Sequence, residues 1–378
     1  MNPLPAVDLA PALQLLGVAA LFCALLLAVW SWRHRHADAR QRWLALSVLT
    51  AFLTADLIVF GSFTRLTDSG LGCPDWPGCY GAASPFGAAS QIAAAEQAQP
   101  SGPVTHAKAW IEMIHRYLAM TVGALILVQA IGLWRQRARI GQAGAWSLVA
   151  LVWVLAQGAF GKYTVTLKLY PAVVTLHLLG GMGLLALLVA QFESLRAAPP
   201  VAGPRALSIV ATLLGLQIAL GGWVSTNYAV LACRGFPLCN GSWWPAMDFA
   251  DGFALWRELG RGGAEGYIAF PALVAVHMTH RLMAVVVTLA LAALAASLWR
   301  SGEVESRRYA LALAGVLAAQ WASGVSNVLL DWPLAAALVH SAGAAALTAL
   351  VVLLWFRRRA FARTARAQAS ASLRRSPS

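Results

Sequence analysis

Four histidines lie inside apolar stretches of the chain and fall into two matched sets. His115 opens the string His-Arg-x-x-Ala with Arg116 and Ala119, and the string returns 165 residues later as His280, Arg281 and Ala284. The second members repeat too. Gln157, Gly161, His177 and Gly180 return 163 residues on as Gln320, Gly324, His340 and Gly343. Imidazole is costly in hydrocarbon and is kept there for function. One such histidine can be a core residue bonded to a carbonyl; four at repeated positions read as two metal-centred sites. In a helical membrane protein the usual occupant of a facing histidine pair is a haem iron.

The residues around the histidines repeat less evenly. His277 stands three residues before His280, on the same helical face, and the matching place before His115 holds Glu112. A carboxylate at this depth is expensive unless it works. It has two readings: a cap at the start of its span, where the helix dipole favours negative charge, or a reactive carboxylate beside a haem edge in one half only. Arg116 and Arg281 are candidates for haem propionates, because guanidinium pairs well with carboxylate, or else they anchor helices. Lys162 and Lys168 are candidates of the same kind. Gln157, Gln217 and Gln320 each precede a glycine by four residues and are expected to hydrogen-bond between helices.

Cys73 and Cys79 recur 160 residues later as Cys233 and Cys239, with Pro77/Pro237 and Gly81/Gly241. Both pairs fall in loops on the outer face, and five intervening residues is not a zinc spacing. A disulfide is therefore expected within each pair. Staples for lids and redox-active bridges both remain open. Cys23 is a lone small apolar residue, and His34, His36 and His106 are expected in loops.

Helices must carry these residues across a bilayer. The chain is 59% hydrophobic and 11% charged, against about 45–50% and about 25% in soluble domains. Apolar runs at 12–32, 43–64, 110–134, 145–166, 172–193, 205–226, 268–299, 307–329 and 334–356 give nine spans. The first has its basic cluster after it, the reverse of a secretory signal, and is expected to stay as a helix. The formal charge of +13 is concentrated in every second loop and in the tail. That pattern obeys the positive-inside rule, places the N-terminus outside and the C-terminus inside, and argues against a nucleic-acid partner. At 1.5 Å per residue, His177 lies about 9 Å below Pro171 and His340 about 10 Å below Pro333, so both sites belong to the outer leaflet. The expected fold is an all-α polytopic membrane protein of two repeated four-helix bundles plus one additional N-terminal helix. The divisions are 1–42 for the added helix and its basic loop, 43–196 and 205–357 for the bundles, and 358–378 for a basic disordered tail. Loops near 82–108 and 240–267 are long enough to cover the outer openings.

The string Thr64-Arg65-Leu66-Thr67-x-Ser69-Gly70-Leu71-x-Cys73-Pro74-Asp75-Trp76-Pro77-x-Cys79, then Glu112-x-x-His115-Arg116, His177, the second cysteine loop, His280-Arg281 and His340, resembles haem A synthase. The resemblance covers about 50–357. It implies two four-helix bundles, haem b as cofactor between His280 and His340, and haem O as substrate facing His115 and His177. Glu112 would assist at the C8 methyl oxidised to a formyl group through successive hydroxylations, and the Cys73–Cys79 loop would be the functionally implicated pair. The added first span departs from a familiar core of eight. A bacterial inner membrane is the implied location. Expected partners are a haem O synthase as substrate donor, an electron-transfer partner, the terminal oxidase assembly machinery and membrane lipid, with self-association left open. Two rivals remain: a quinone-linked thiol oxidoreductase, which needs no intramembrane histidines, and a non-catalytic haem carrier, which needs no one-sided carboxylate.

Overall fold

The computed structural model describes residues 10–196, 201, 207–262 and 266–373. Its helices are α1 Ala10–Arg33, α2 Ala39–Leu66, α3 Ala89–Ala98, α4 His106–Arg135, α5 Arg137–Ile140, α6 Ala143–Thr166, α7 Pro171–Leu195, α8 Leu207–Thr226, α9 Phe249–Gly252, α10 Phe270–Arg300, α11 Val304–Leu329 and α12 Leu334–Leu373. Among the described residues nine of these are long and apolar enough to cross a membrane, and they coincide with the nine runs read from the sequence. Helix starts follow local chemistry. Asp38 caps α2 by accepting from the Gln41 N–H at 2.8 Å, Thr105 caps α4 by accepting from Lys108, and Pro171 opens α7.

Three expectations change. The tail expected to be disordered is helical through Leu373, since its Ala, Arg and Gln are strong helix formers. His106 is the exposed first residue of α4 rather than a loop residue. The loop near 82–108 contains α3, whose Ile92 is fully buried against Cys73, Cys79 and Leu15 of α1. Arg205, Arg374 and Arg375 of the charge pattern lie outside the described residues.

The duplication is visible in the backbone. The non-glycine residues with positive φ form four matched pairs: Asp68/Tyr228, Tyr80/Asn240, Lys168/Asp331 and Leu169/Trp332. The last two pairs turn the chain between α6 and α7 and between α11 and α12. There the amides of Leu169 and Trp332 bond back to the carbonyls of Thr164 and Asn327, satisfying groups left over at the helix ends. In the first half α2 and α6 each pack on both α4 and α7; in the second, α8 and α11 each pack on both α10 and α12. Contacts of α7 with α8 and of α12 with α2 and α7 join the halves over one apolar core. The added α1 packs on α4 and touches α2.

Polar ties close both ends of this junction. At the cysteine-loop end the Arg65 guanidinium donates to the Ser225 carbonyl at 2.6 Å and lies 4.0 Å from the Tyr228 ring centre, while the Tyr228 hydroxyl donates to Asp68 at 2.6 Å. At the opposite end Arg357 of α12 reaches Glu193 of α7 at 3.4 Å and Glu305 of α11 at 2.9 Å, with the Arg357 and Glu193 side chains 2% and 3% exposed. Arg357→Ala leaves Glu193 as a buried charge short of its main partner, a change that costs about 3–5 kcal/mol. A marked fall in thermal stability of the detergent-solubilised protein is expected, and Glu193→Leu together with Arg357→Leu should recover most of it. A single variant as stable as the wild type contradicts the assignment.

Candidate functional site

Each intramembrane histidine is seated against a glycine of the neighbouring helix. A Cβ on Gly61 would lie 3.1 Å from Nε2 of His115, and one on Gly221 would lie 3.1 Å from Cε1 of His280. Cβ atoms on Gly161 and Gly324 would meet His177 and His340 at 3.6 and 3.2 Å. Gly61 and Gly221 are repeat partners, as are Gly161 and Gly324, so the same vacated volume receives a ring four times. The second glycines of the motifs do a different job. Gln157 packs over Gly180 and Gln320 over Gly343 so closely that a Cβ would overlap them, at 1.7 and 2.5 Å.

The spacing of His280 and His340 would suit a single metal ion held between them. The His280 and His340 ring centres are 6.5 Å apart. Two metal–nitrogen bonds of about 2.0–2.1 Å plus about 1.1 Å from each nitrogen to its ring centre require about 6.4 Å. Nδ1 of His340 is 3.1 Å from the Ser323 hydroxyl, which occupies that nitrogen and leaves Nε2 for a metal. The amide of Gln217 lies 3.2 Å from Nδ1 of His280, so this glutamine does bond between helices, and its target is a candidate ligand. In the first half Phe60 stacks on His115 with ring centres 6.3 Å apart, and Nδ1 of His177 is buried with no hydrogen-bond partner. Among the described residues no three His, Cys, Asp or Glu side chains converge on one point. Two facing histidines would suit a metal whose other ligands come from a macrocycle.

Glu112 is not the cap of its helix, which is Thr105. It sits two turns inside α4, 4% exposed, accepting from the Cys73 N–H at 2.8 Å and from Arg116. Arg116 in turn donates to the carbonyls of Asp75, Pro77 and Gly78. Arg281 does the same for Cys233, Gly235 and Leu238 in the second half. Both guanidinium groups clamp cysteine loops, the anchoring alternative that the sequence left open beside a propionate role. Both loops are closed by disulfides, Cys73–Cys79 and Cys233–Cys239, and Cys23 is buried and free. Where the first half has its carboxylate, Nδ1 of His277 meets the Ala229 carbonyl at 2.9 Å.

All four histidines, Glu112, His277, Arg116 and Arg281 line one cavity of about 1730 Å³. That exceeds the roughly 300–1,000 Å³ of an ordinary ligand pocket. Its walls are mainly apolar, and α1 contributes Ala12, Leu15, Leu16, Ala19 and Ala20 to them. Lys162 reaches this cavity, with its ammonium 5.9 Å from the Trp76 ring centre; Lys168 is exposed in its turn. Sequence reasoning missed Phe60, Ser323 and the glycine seats. Only the glycines carried a signal, since they repeat with the histidines.

The seats make a direct prediction. Gly221→Val should push His280 from its place and sharply reduce haem retained on purification, read as Soret absorbance per protein. Gly215→Val on the same helix should not, because nothing lies within 4 Å of a Cβ there. Equal haem content in the two variants counts against the seat.

Residues 41–352 match the family model COX15-CtaA, described as cytochrome oxidase assembly protein. A protein of Shewanella oneidensis called heme A synthase is 37% identical over 313 residues, covering 80% of this chain and 93% of its own length. Proteins of the same name from a Methylobacterium species and from Maricaulis maris are 32% and 29% identical, covering 83% and 86% of this chain and 89% and 99% of their own lengths. The matched residues include both histidine pairs and both cysteine loops, and the chain belongs to the COX15-CtaA family of cytochrome oxidase assembly proteins.

Proposed function

We propose that the chain is a haem A synthase of the bacterial inner membrane, oxidising the C8 methyl of haem O to a formyl group through successive hydroxylations. The observation that carries the reading is one cavity lined by two repeated histidine pairs, with a buried carboxylate beside only one of them. The division of labour follows the repeat: residues 43–196 take the substrate and residues 205–357 hold haem b between His280 and His340. Haem b supplies one-electron redox chemistry that side chains lack.

The chain's own residues bind, orient and handle protons. Ser323 and Gln217 orient the rings of His340 and His280, the two residues that would hold the haem b. His115 and His177 position haem O, and the apolar walls receive its long isoprenoid tail. Glu112, held by the Cys73 amide and by Arg116, faces the substrate cavity as the group that accepts or returns a proton at the carbon being oxidised. The clamped loops lie over the cavity end where Glu112 sits and limit water there. The N-terminus lies outside and the C-terminus in the cytoplasm, by the distribution of arginines. Haem O synthase, an electron-transfer partner and terminal oxidase assembly are the partners this role requires.

Analysis of haems extracted after expression with a haem O source tests the reading. A formyl-bearing haem is expected; unchanged haem marks a carrier, and no haem marks a thiol oxidoreductase. His340→Ala should lose the low-spin haem b spectrum, because either axial loss breaks the pair. Glu112→Gln should keep that spectrum and lose haem A formation by at least about tenfold, the lower range for a lost acid–base group of about 10²–10⁴ being softened by the retained hydrogen bonds. Wild-type turnover in Glu112→Gln removes the carboxylate from the chemistry.

A further inference from the structure

The two halves differ most in what fills the bundle beneath their histidines. Ser47, Thr50 and Thr54 of α2, Gln129 of α4 and Gln191 of α7 are at most 1% exposed. They form a connected column. Ser47 donates to Gln129 Oε1 at 2.9 Å, Gln129 Nε2 to the Thr50 hydroxyl at 2.7 Å, and Gln191 Nε2 to the Ser47 hydroxyl at 2.8 Å and to Gln129 Oε1 at 2.6 Å. Thr54 donates to the Thr50 carbonyl at 2.8 Å and lines the cavity that holds His115 and His177. At the far end Gln191 Oε1 is buried with no hydrogen-bond partner. Beyond it Leu133, Ile140, Ala143 and Leu195 close the bundle with apolar side chains. The column therefore opens toward the cavity.

At the five matched positions the second half carries Leu207, Val210, Leu214, Leu294 and Leu354, all at most 5% exposed and all in the apolar core. Polar side chains often join helices in membranes. That role does not explain these, because the same helix arrangement closes in the second half with aliphatic residues alone. A buried amide oxygen without a donor is also a cost that packing does not offset. Water offsets it, given a polar site with two to four partners.

We infer that Ser47, Thr50, Thr54, Gln129 and Gln191 form an internal water-binding site that adjoins the substrate cavity at Thr54, and that it hydrates the N-terminal bundle at the level where the C-terminal bundle is closed by aliphatic side chains. The inference rests on the reading of the N-terminal half as the substrate side. Hydroxylation chemistry takes up and releases protons, which hydroxyl groups and bound water beside the substrate can hold and exchange and a hydrocarbon wall cannot. A site that only passes electrons needs no such groups.

X-ray hydroxyl-radical footprinting of the full chain in lipid nanodiscs reads this directly, because radicals made from bound water mark the side chains beside it. Leu188, one turn from Gln191, and its repeat partner Val351 are 0% and 2% exposed. After correction for intrinsic reactivity, Leu188 should be modified several-fold more than Val351. Installing the other half's residues (S47L, T50V, T54L, Q129L and Q191L together) should bring Leu188 down to the level of Val351 with haem b absorbance retained. Should that variant misfold, Gln129→Leu with Gln191→Leu is expected to do the same. Equal modification of Leu188 and Val351 in the wild type, or an unchanged mark on Leu188 in a haem-retaining variant, overturns the water site. Haem A formation is scored separately, so a wild type that makes none defeats the functional reading and leaves the water comparison standing.

Discussion

A histidine ring inside an apolar helix bundle needs both a partner for its nitrogens and a volume that no other side chain occupies, and the packing of this protein is arranged around that need. Four glycines, Gly61, Gly161, Gly221 and Gly324, vacate the volume. Each lies on the helix facing its histidine, so α2 against α4, α6 against α7, and their two counterparts are all fixed in separation by the thickness of an imidazole. The neighbouring Gln157–Gly180 and Gln320–Gly343 contacts then draw α6 onto α7 and α11 onto α12 one turn away. Close approach at one level with a ring inserted at the next splays each bundle just enough to leave a cavity. Larger residues at the glycine positions would push the rings out, and smaller ones in place of the glutamines would let the walls collapse inward.

The loops complete the enclosure, and the duplicated frame shows how one replacement separates two roles. Both cysteine loops are closed by a disulfide and pinned by an arginine reaching their carbonyls from the histidine helix. In the first half the arginine also holds Glu112, and the loop amide of Cys73 holds its other oxygen. The carboxylate thus has a fixed place only because the loop does. In the second half His277 occupies the same turn and spends its nitrogen on the Ala229 carbonyl, leaving that side without a carboxylate. The added α1 adds to the difference between the halves, since Leu15 packs against the first cysteine loop and its neighbours wall the cavity.

Hydropathy and self-similarity made most of this legible before any coordinates. Twenty apolar residues in a row have few folding options, so the first eight spans agree with their helices to within about four residues, the usual uncertainty of helix ends, and the ninth agrees at its start while its helix runs on past the apolar stretch to Leu373. A residue type that is expensive in a membrane, repeated at fixed spacing, identifies itself, which is why the histidines, Glu112 and the cysteine pairs stood out. The destinations of Arg116 and Arg281 did not, because carbonyls carry no side-chain signature and a loop's path over a helix end is a tertiary fact. The same holds for Phe60 and Ser323. Serine, threonine and glutamine scattered through apolar spans read one at a time as helix contacts; only the pairing of helices shows that five of them touch, and only the second half shows that packing does not require them.

The junction between the halves follows from the same symmetry. Ser225 is the repeat partner of Arg65, and Tyr228 the partner of Asp68, yet Arg65 bonds to Ser225 and Asp68 to Tyr228. Contacts between repeat-related positions arise where equivalent surfaces face one another across the axis relating the halves. Each half therefore presents the same edge to the other at this end. Arg357, bound to Glu193 and Glu305, holds the opposite end. With both ends tied, a rotation of either half breaks polar contacts at one end or the other, among them the buried Arg357–Glu193 pair, and this holds the spacing of the two histidine sets.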